Sequence, residues 1–152
     1  MSIERERLKV VTMGIKLIAL IFATSITSCL DDGSDFNYSK VPVFSKQSNV
    51  NCIIEIPAGT NHKIEYDYLS NSFPCDRRNG KDRIIQFIPY PANYGFVPST
   101  LMDKERGGDG DALDVFVIAS AIKTATVVEC KIVGVCKFLD AGEQDDKLIA
   151  IP

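Results

Sequence analysis

The sequence predicts a mainly β domain that closes into a small barrel, and three observations carry that prediction. From Val50 to Pro152 apolar and polar residues mostly alternate with period two, and proline and glycine recur between the alternating runs. No helical stripe of useful length interrupts them. The run 126–139 is long, alternating and broken by Gly134, which suits the bulge or bend of a strand curving round a small barrel. With 152 residues, 45% of them hydrophobic, the chain has apolar material for one core.

Taken in order, residues 50–56 form the first predicted strand, with Asn51, Ile53 and Glu55 on one face and Cys52, Ile54 and Ile56 on the other. Glu55 is therefore an acid on a half-apolar strand. After a turn at 57–60, residues 63–69 alternate again. Lys63, Glu65 and Asp67 share a charged face, and Ile64, Tyr66 and Tyr68 share a core face. Residues 70–81 are rich in turn formers and read as a surface loop. A strand at 83–88 leads into 89–98, whose three prolines and two tyrosines suit a rigid wall. Its tyrosine hydroxyls can donate to an anion, and aromatic packing explains them equally well. Residues 113–117 and 147–151 are short apolar strands, each entered through an acidic turn.

Those turns hold the chemistry. Asp109, Asp111 and Asp114 stand at i, i+2 and i+5 behind two glycines, with Gly110 between them. Three like charges this close are tolerable when cations or lysines sit among them; a solvated acidic turn entering a strand fits the same spacing. The second turn, 139–146, contributes Asp140 and Asp145, and the barrel topology can bring all five aspartates to one rim. Oxygen-only ligands point to Mg²⁺, Mn²⁺ or Ca²⁺ rather than zinc. Lys63, Arg83 and Lys147 supply opposite charge, and hard cations together with Lys and Arg suit a phosphate-bearing substrate. His62 is the single histidine, which argues against histidine triads and histidine metal sites. Beyond residue 29 the chain carries a net charge of −5, against a nucleic-acid partner.

The N-terminus differs in kind. A basic lead-in (Arg5, Arg7, Lys9, Lys16) precedes the apolar run 17–26, as in a signal peptide. Ile26-Thr27-Ser28-Cys29 resembles the bacterial lipobox, in which the cysteine is acylated and becomes the mature N-terminus. The expected organisation is a lipoprotein signal peptide at 1–28, a polar, unpacked tether at 29–47 and the barrel domain at 48–152. The expected location is a membrane anchored through lipid on Cys29, periplasmic or at the cell surface, with the cytoplasm as the alternative. Mass spectrometry should find a lipidated mature chain beginning at Cys29. Of the other cysteines, Cys130 and Cys136 lie too far apart along one strand to pair, and buried free thiols are expected.

Four segments, IEIPAGTNHKIEYD, PYPANYGFVP, DGDALDV and LDAGEQDDKLIAIP, stand in an order that resembles the soluble inorganic pyrophosphatases of family I across nearly all of 50–152. The resemblance implies an OB-type β-barrel with flanking helices and hydrolysis of pyrophosphate to two phosphates with several Mg²⁺ ions, Mn²⁺ being a possible substitute. By position, Asp109, Asp114 and Asp145 resemble ligands of the metals that activate water, and Asp140 and Asp145 resemble ligands of metal arriving with substrate. Asp111 matches the general base, Glu55 and Glu65 match acids acting on metal directly or through water, and Lys63, Arg83, Tyr94 and Lys147 match phosphate-binding positions. Ala112 replaces a usual proline and Ala141 a common glutamate. The family continues past the position of Pro152 through a further strand and a C-terminal helix that supply a Tyr-Lys pair, so the C-terminal helical part is expected to be missing here; a complete chain is expected to be a homo-oligomer. Two other readings stay open: a non-catalytic domain binding divalent cations or phosphate through a decayed site, and a structural β-domain on a lipid tether.

Overall fold

The computed structural model describes residues 36–152, so the signal-peptide segment and Cys29 lie outside the described residues. Five strands close into a barrel. They are β1 (Val50–Ile56), β4 (Asn93–Phe96), β5 (Asp114–Val117), β6 (Val127–Cys136) and β9 (Lys147–Ile151), in the spatial order β1-β4-β5-β9-β6. All neighbouring strands run antiparallel except β5 and β9, which pair in parallel from Asp114↔Lys147 to Val117↔Ala150. Two small hairpins stand outside the barrel, β2 (Arg77–Arg78) with β3 (Lys81–Asp82) and β7 (Leu139–Asp140) with β8 (Glu143–Gln144). The described residues hold no α-helix, only the 3-10 turns Tyr38–Lys40 and Lys104–Arg106.

Period-two patterning builds the interior. Cys52 and Ile54 of β1, Val115 and Val117 of β5, Cys130 of β6 and Ala150 of β9 meet inside the barrel, and all are buried. The opposite face of β1 is also covered: Ile53 packs with Val41, Tyr66 and Phe96, flanked by Tyr38 and Phe73. The four cysteines among the described residues are free thiols.

Two irregularities shape the strands. In β6 the register shifts between Ile132 and Gly134, the bend that Gly134 predicts. In β1 it shifts between Ile54, opposite Gly95, and Ile56, opposite Tyr94. Glu55 is thus the extra residue of a bulge, and such residues are re-aimed away from the regular pleat.

Three expectations need correction. Residues 63–69 do not form a ladder strand; isolated bridges Ile64↔Cys75 and Asp67↔Ser72 hold them, so Tyr66 and Tyr68 are not segregated from the charged side chains. Residues 83–88 likewise form no ladder strand; an isolated bridge at Ile84 and single backbone hydrogen bonds at Arg83 and Ile85 hold their start, and Phe87 is exposed. The described part of the predicted tether is packed from Asn37 onward. Val41 is buried, Asn51 donates N–H to Val43 O and Nδ2 to Pro42 O, and the Ser99 hydroxyl donates to Val41 O. Two valines, Val41 and Val43, reach the core from an otherwise polar stretch, and their burial outweighs its composition.

Candidate active site

Against β1, β4 and β5, on the side of Tyr66 and Phe96 that faces away from the barrel interior, a pocket of about 290 Å³ is lined by Glu55, Glu65, Asp109, Asp111 and Asp114, by Lys63 and Tyr94, and by an aromatic side of Tyr66, Tyr68 and Phe96. Each acid arrives by a different local device. Glu55 sits on the bulge, where Oε1 accepts Tyr66 N–H at 2.7 Å. Asp109 folds an Asx turn by accepting Asp111 N–H on Oδ1 at 2.9 Å, and Gly110 permits that turn with φ of 90°. Asp114 begins β5, opposite Phe96 on one side and Lys147 on the other.

Lys147 ties the two acidic turns. Its Nζ donates to Asp114 Oδ2 at 2.6 Å and to Asp145 Oδ1 at 2.7 Å, while the Tyr94 hydroxyl donates to the same Asp114 Oδ2 at 2.5 Å. The turns also meet through backbone, Gln144 N–H donating to Gly107 O at 2.6 Å. On the other side Lys63 Nζ pairs with Glu65 Oε1 at 2.7 Å. Both ammonium groups lie over the Tyr94 ring, Lys63 at 5.7 Å and Lys147 at 5.6 Å from its centre.

Charge in the pocket is strained. Burial raises Glu55 to about 7, with the Asp114 and Glu65 charges adding and the Tyr66 N–H and Lys63 opposing. Asp111 is also raised, by burial first and then by Asp109, Asp114 and Glu65. Burial works to depress Lys63 and Lys147, yet both are raised overall because carboxylates hydrogen-bond them. Tyr94 is raised by burial and by Asp114, which keeps its hydroxyl protonated. This donor set suits a hard cation: every candidate ligand is oxygen, and a divalent ion would relieve the repulsion that lifts Asp111. Among the described residues no three acids already converge as a ready-made cluster, and both hydrogen bonds to Asp114 fall on Oδ2, leaving Oδ1 for a cation.

Glu55 gives a testable pH dependence in metal-free protein. A carboxyl with an unfolded pKa near 4.5 and a folded value of about 7 binds more protons when folded, so stability falls as pH rises between those values. The loss approaches about 3 kcal/mol by pH 8. Glu55→Gln, which can still accept the Tyr66 N–H, should raise the metal-free thermal midpoint at pH 8 and change it little near pH 4.5. An equal gain at both values would show that ionisation is not the cause.

The remaining sequence-predicted residues lie off the pocket wall. Arg83 is brought beside Lys63 by the Lys63 N–H to Arg83 O bond at 2.9 Å, but its guanidinium pairs with Asp76 at 3.1 Å. Asp140 is exposed on β7, and Asp145 joins the site through Lys147. The aromatic side and Asn93 escaped the sequence reading. Asn93 is fully buried, accepting from Ala58 and Ile122 N–H on Oδ1 and donating from Nδ2 to Val117 and Ser120 carbonyls, and so fixes β4 beside Tyr94.

Known proteins resemble this chain in both sequence and shape. The sequence model of the family described as inorganic pyrophosphatase matches residues 52–152. An inorganic pyrophosphatase of Neisseria meningitidis serogroup B is 38% identical over 120 residues, covering 78% of this chain and 62% of the relative, so the chain spans less than two thirds of that protein's length. Among solved structures, an inorganic pyrophosphatase from Neisseria gonorrhoeae superposes with a TM-score of 0.64 at 35% identity, over 76% of this chain and 62% of that one. An N-terminally truncated vacuolar soluble pyrophosphatase of Trypanosoma cruzi, described in complex with PPi, superposes with a TM-score of 0.69 at 27% identity, over 74% and 50%. With its closed barrel and four motifs in register, the chain belongs to the family I inorganic pyrophosphatases.

Proposed function

We propose that this chain hydrolyses pyrophosphate to two phosphates with Mg²⁺, for which Mn²⁺ can substitute. The observation that carries the reading is five carboxylates facing one pocket beside two lysines that lie over the Tyr94 ring. Asp109 and Asp114, with Asp145 and Asp140 of the second turn, would hold divalent cations, and Glu55 and Glu65 would act on them directly or through water. Bound there, the cations supply charge neutralisation for the phosphates and acidify the attacking water.

The protein's own groups divide the remaining work. Asp111 accepts the proton as water oxygen bonds to phosphorus and the bond from that phosphorus to the bridging oxygen breaks; the leaving phosphate keeps the bridging oxygen. Burial and like charge make Asp111 a better base than an ordinary aspartate. Lys63, Lys147 and Arg83 orient phosphate oxygens, and the Tyr94 hydroxyl, now on Asp114, is a donor at the same place. The T. cruzi relative's description, with PPi bound, supports the choice of substrate. Purified chain with Mg²⁺ and pyrophosphate should release phosphate, whereas binding of both ligands without turnover would leave only a binding domain. Lipid on Cys29 would hold this activity at a membrane, periplasmic or at the cell surface, with the cytoplasm as the alternative; the lipobox-like Ile26-Thr27-Ser28-Cys29 supports the anchor.

A further inference from the structure

The 3-10 turn Lys104–Arg106 looks like a solvated charged run, but its first residue lies across the acidic turn. Asp103 caps it by accepting Glu105 N–H at 2.9 Å, and Gly107 ends it at φ of 88°. The chain then doubles back, Met102 N–H donating to Asp111 O at 2.7 Å and Gly110 N–H to Met102 O at 2.8 Å. Lys104 is thereby laid over Gly110. A Cβ on Gly110 would stand 2.3 Å from Lys104 Cε, 3.2 Å from Cδ and 3.3 Å from Cγ, so the stem occupies the space that glycine leaves between Asp109 and Asp111.

The ammonium at the end of that stem differs from the other cations of the site. Lys63 is held by Glu65, Lys147 by Asp114 and Asp145, and Arg83 by Asp76, whereas Lys104 makes no ion pair among the described residues. It is exposed, and its charge reaches Asp111. A packed stem with an exposed head that makes no ion pair suits a point-charge phosphate ligand. We propose that Lys104 is a further phosphate-binding residue of this site, its Nζ reaching an oxygen of pyrophosphate or of product phosphate at the rim above the acidic turn. This rests on the proposed hydrolysis, and the competing role is plain neutralisation of the Asp109 and Asp111 charges.

The two roles predict opposite changes. Lys104→Met keeps an aliphatic stem over Gly110 without the charge, Lys104→Gln repeats the test with a different side chain, and Lys104→Arg restores the charge. Calorimetry should titrate inorganic phosphate into Mg²⁺-saturated protein, and Mg²⁺ alone into metal-free protein, with thermal midpoints as a check on folding. Expected are phosphate binding about five-fold weaker in Lys104→Met and Lys104→Gln, a KM for pyrophosphate raised more than kcat is lowered, recovery in Lys104→Arg, and no weakening of Mg²⁺ binding. Unchanged phosphate binding with tighter Mg²⁺ binding would overturn the inference in favour of neutralisation. Wild-type protein that turns over pyrophosphate while the Met and Gln variants match it in phosphate affinity and KM would overturn this inference alone; wild-type protein that neither binds phosphate nor hydrolyses pyrophosphate would overturn both.

Discussion

Asp111→Asn should lower phosphate release from pyrophosphate by about a thousand-fold, within the range expected for loss of a positioned general base. Asparagine preserves the side-chain shape but removes the negative charge and, with it, the ability to take a proton. The side chain of Asp111 holds no part of the fold: the turn uses its backbone N–H, toward Asp109 Oδ1, and its backbone carbonyl, toward Met102 N–H. The thermal midpoint should therefore be unchanged or slightly higher, since one of the mutually repelling carboxylates is gone. Phosphate release and thermal melting on the same preparation provide the measurement. Full turnover in a folded Asp111→Asn protein would remove Asp111 from its assigned role.

Gly95→Ala should have the largest effect on stability. A Cβ there would lie 1.9 Å from Ile53 O, 2.9 Å from Ile53 C and 3.0 Å from Ile54 Cα, all backbone atoms that no rotamer change can clear. Relief requires parting β1 from β4 at Ile54↔Gly95, beside the bulge that carries Glu55. A cost of about 4 kcal/mol or more is expected, against a total stability of roughly 5–15 kcal/mol for a domain. Gly59→Ala is the control, because Gly59 has φ of 78° but open space around it; that change should cost only about 1 kcal/mol. Denaturant midpoints for both proteins decide the matter, and equal losses would rule out the contact with Ile53 as the cause.

The barrel was legible because its strands bury alternate residues and turn at glycine and proline, and the β6 bend was legible because Gly134 interrupts a long alternating run. The bulge at Glu55 was not, since Ile54, Glu55 and Ile56 keep perfect alternation and the extra residue is set by Gly95 approaching from another strand. Alternation misled at 63–69. The pattern is present, but only isolated bridges hold the segment, so Tyr66 and Tyr68 share the pocket with Lys63 and Glu65. Residues from Asn37 on were misread because polar composition hid two valines that plug into the barrel's apolar clusters. Within the site, the carboxylates announced themselves through spacing. Lys104 did not, because Asp103, Lys104, Glu105 and Arg106 look like surface until the chain folds back on Gly110.

Lys147 couples charge to strand register. Fixed between Asp114 and Asp145, it is a counter-ion built into the chain itself. The parallel pairing of β5 with β9 begins at Asp114 and Lys147 themselves, so the electrostatic match and the strand register are specified by the same two residues. The parallel seam that closes the barrel is therefore registered by charges the protein itself supplies, in contrast to small domains whose folding free energy is the metal's binding energy. Loss of the Lys147 charge would therefore loosen two things at once, the β5–β9 seam and the tie between the two acidic turns.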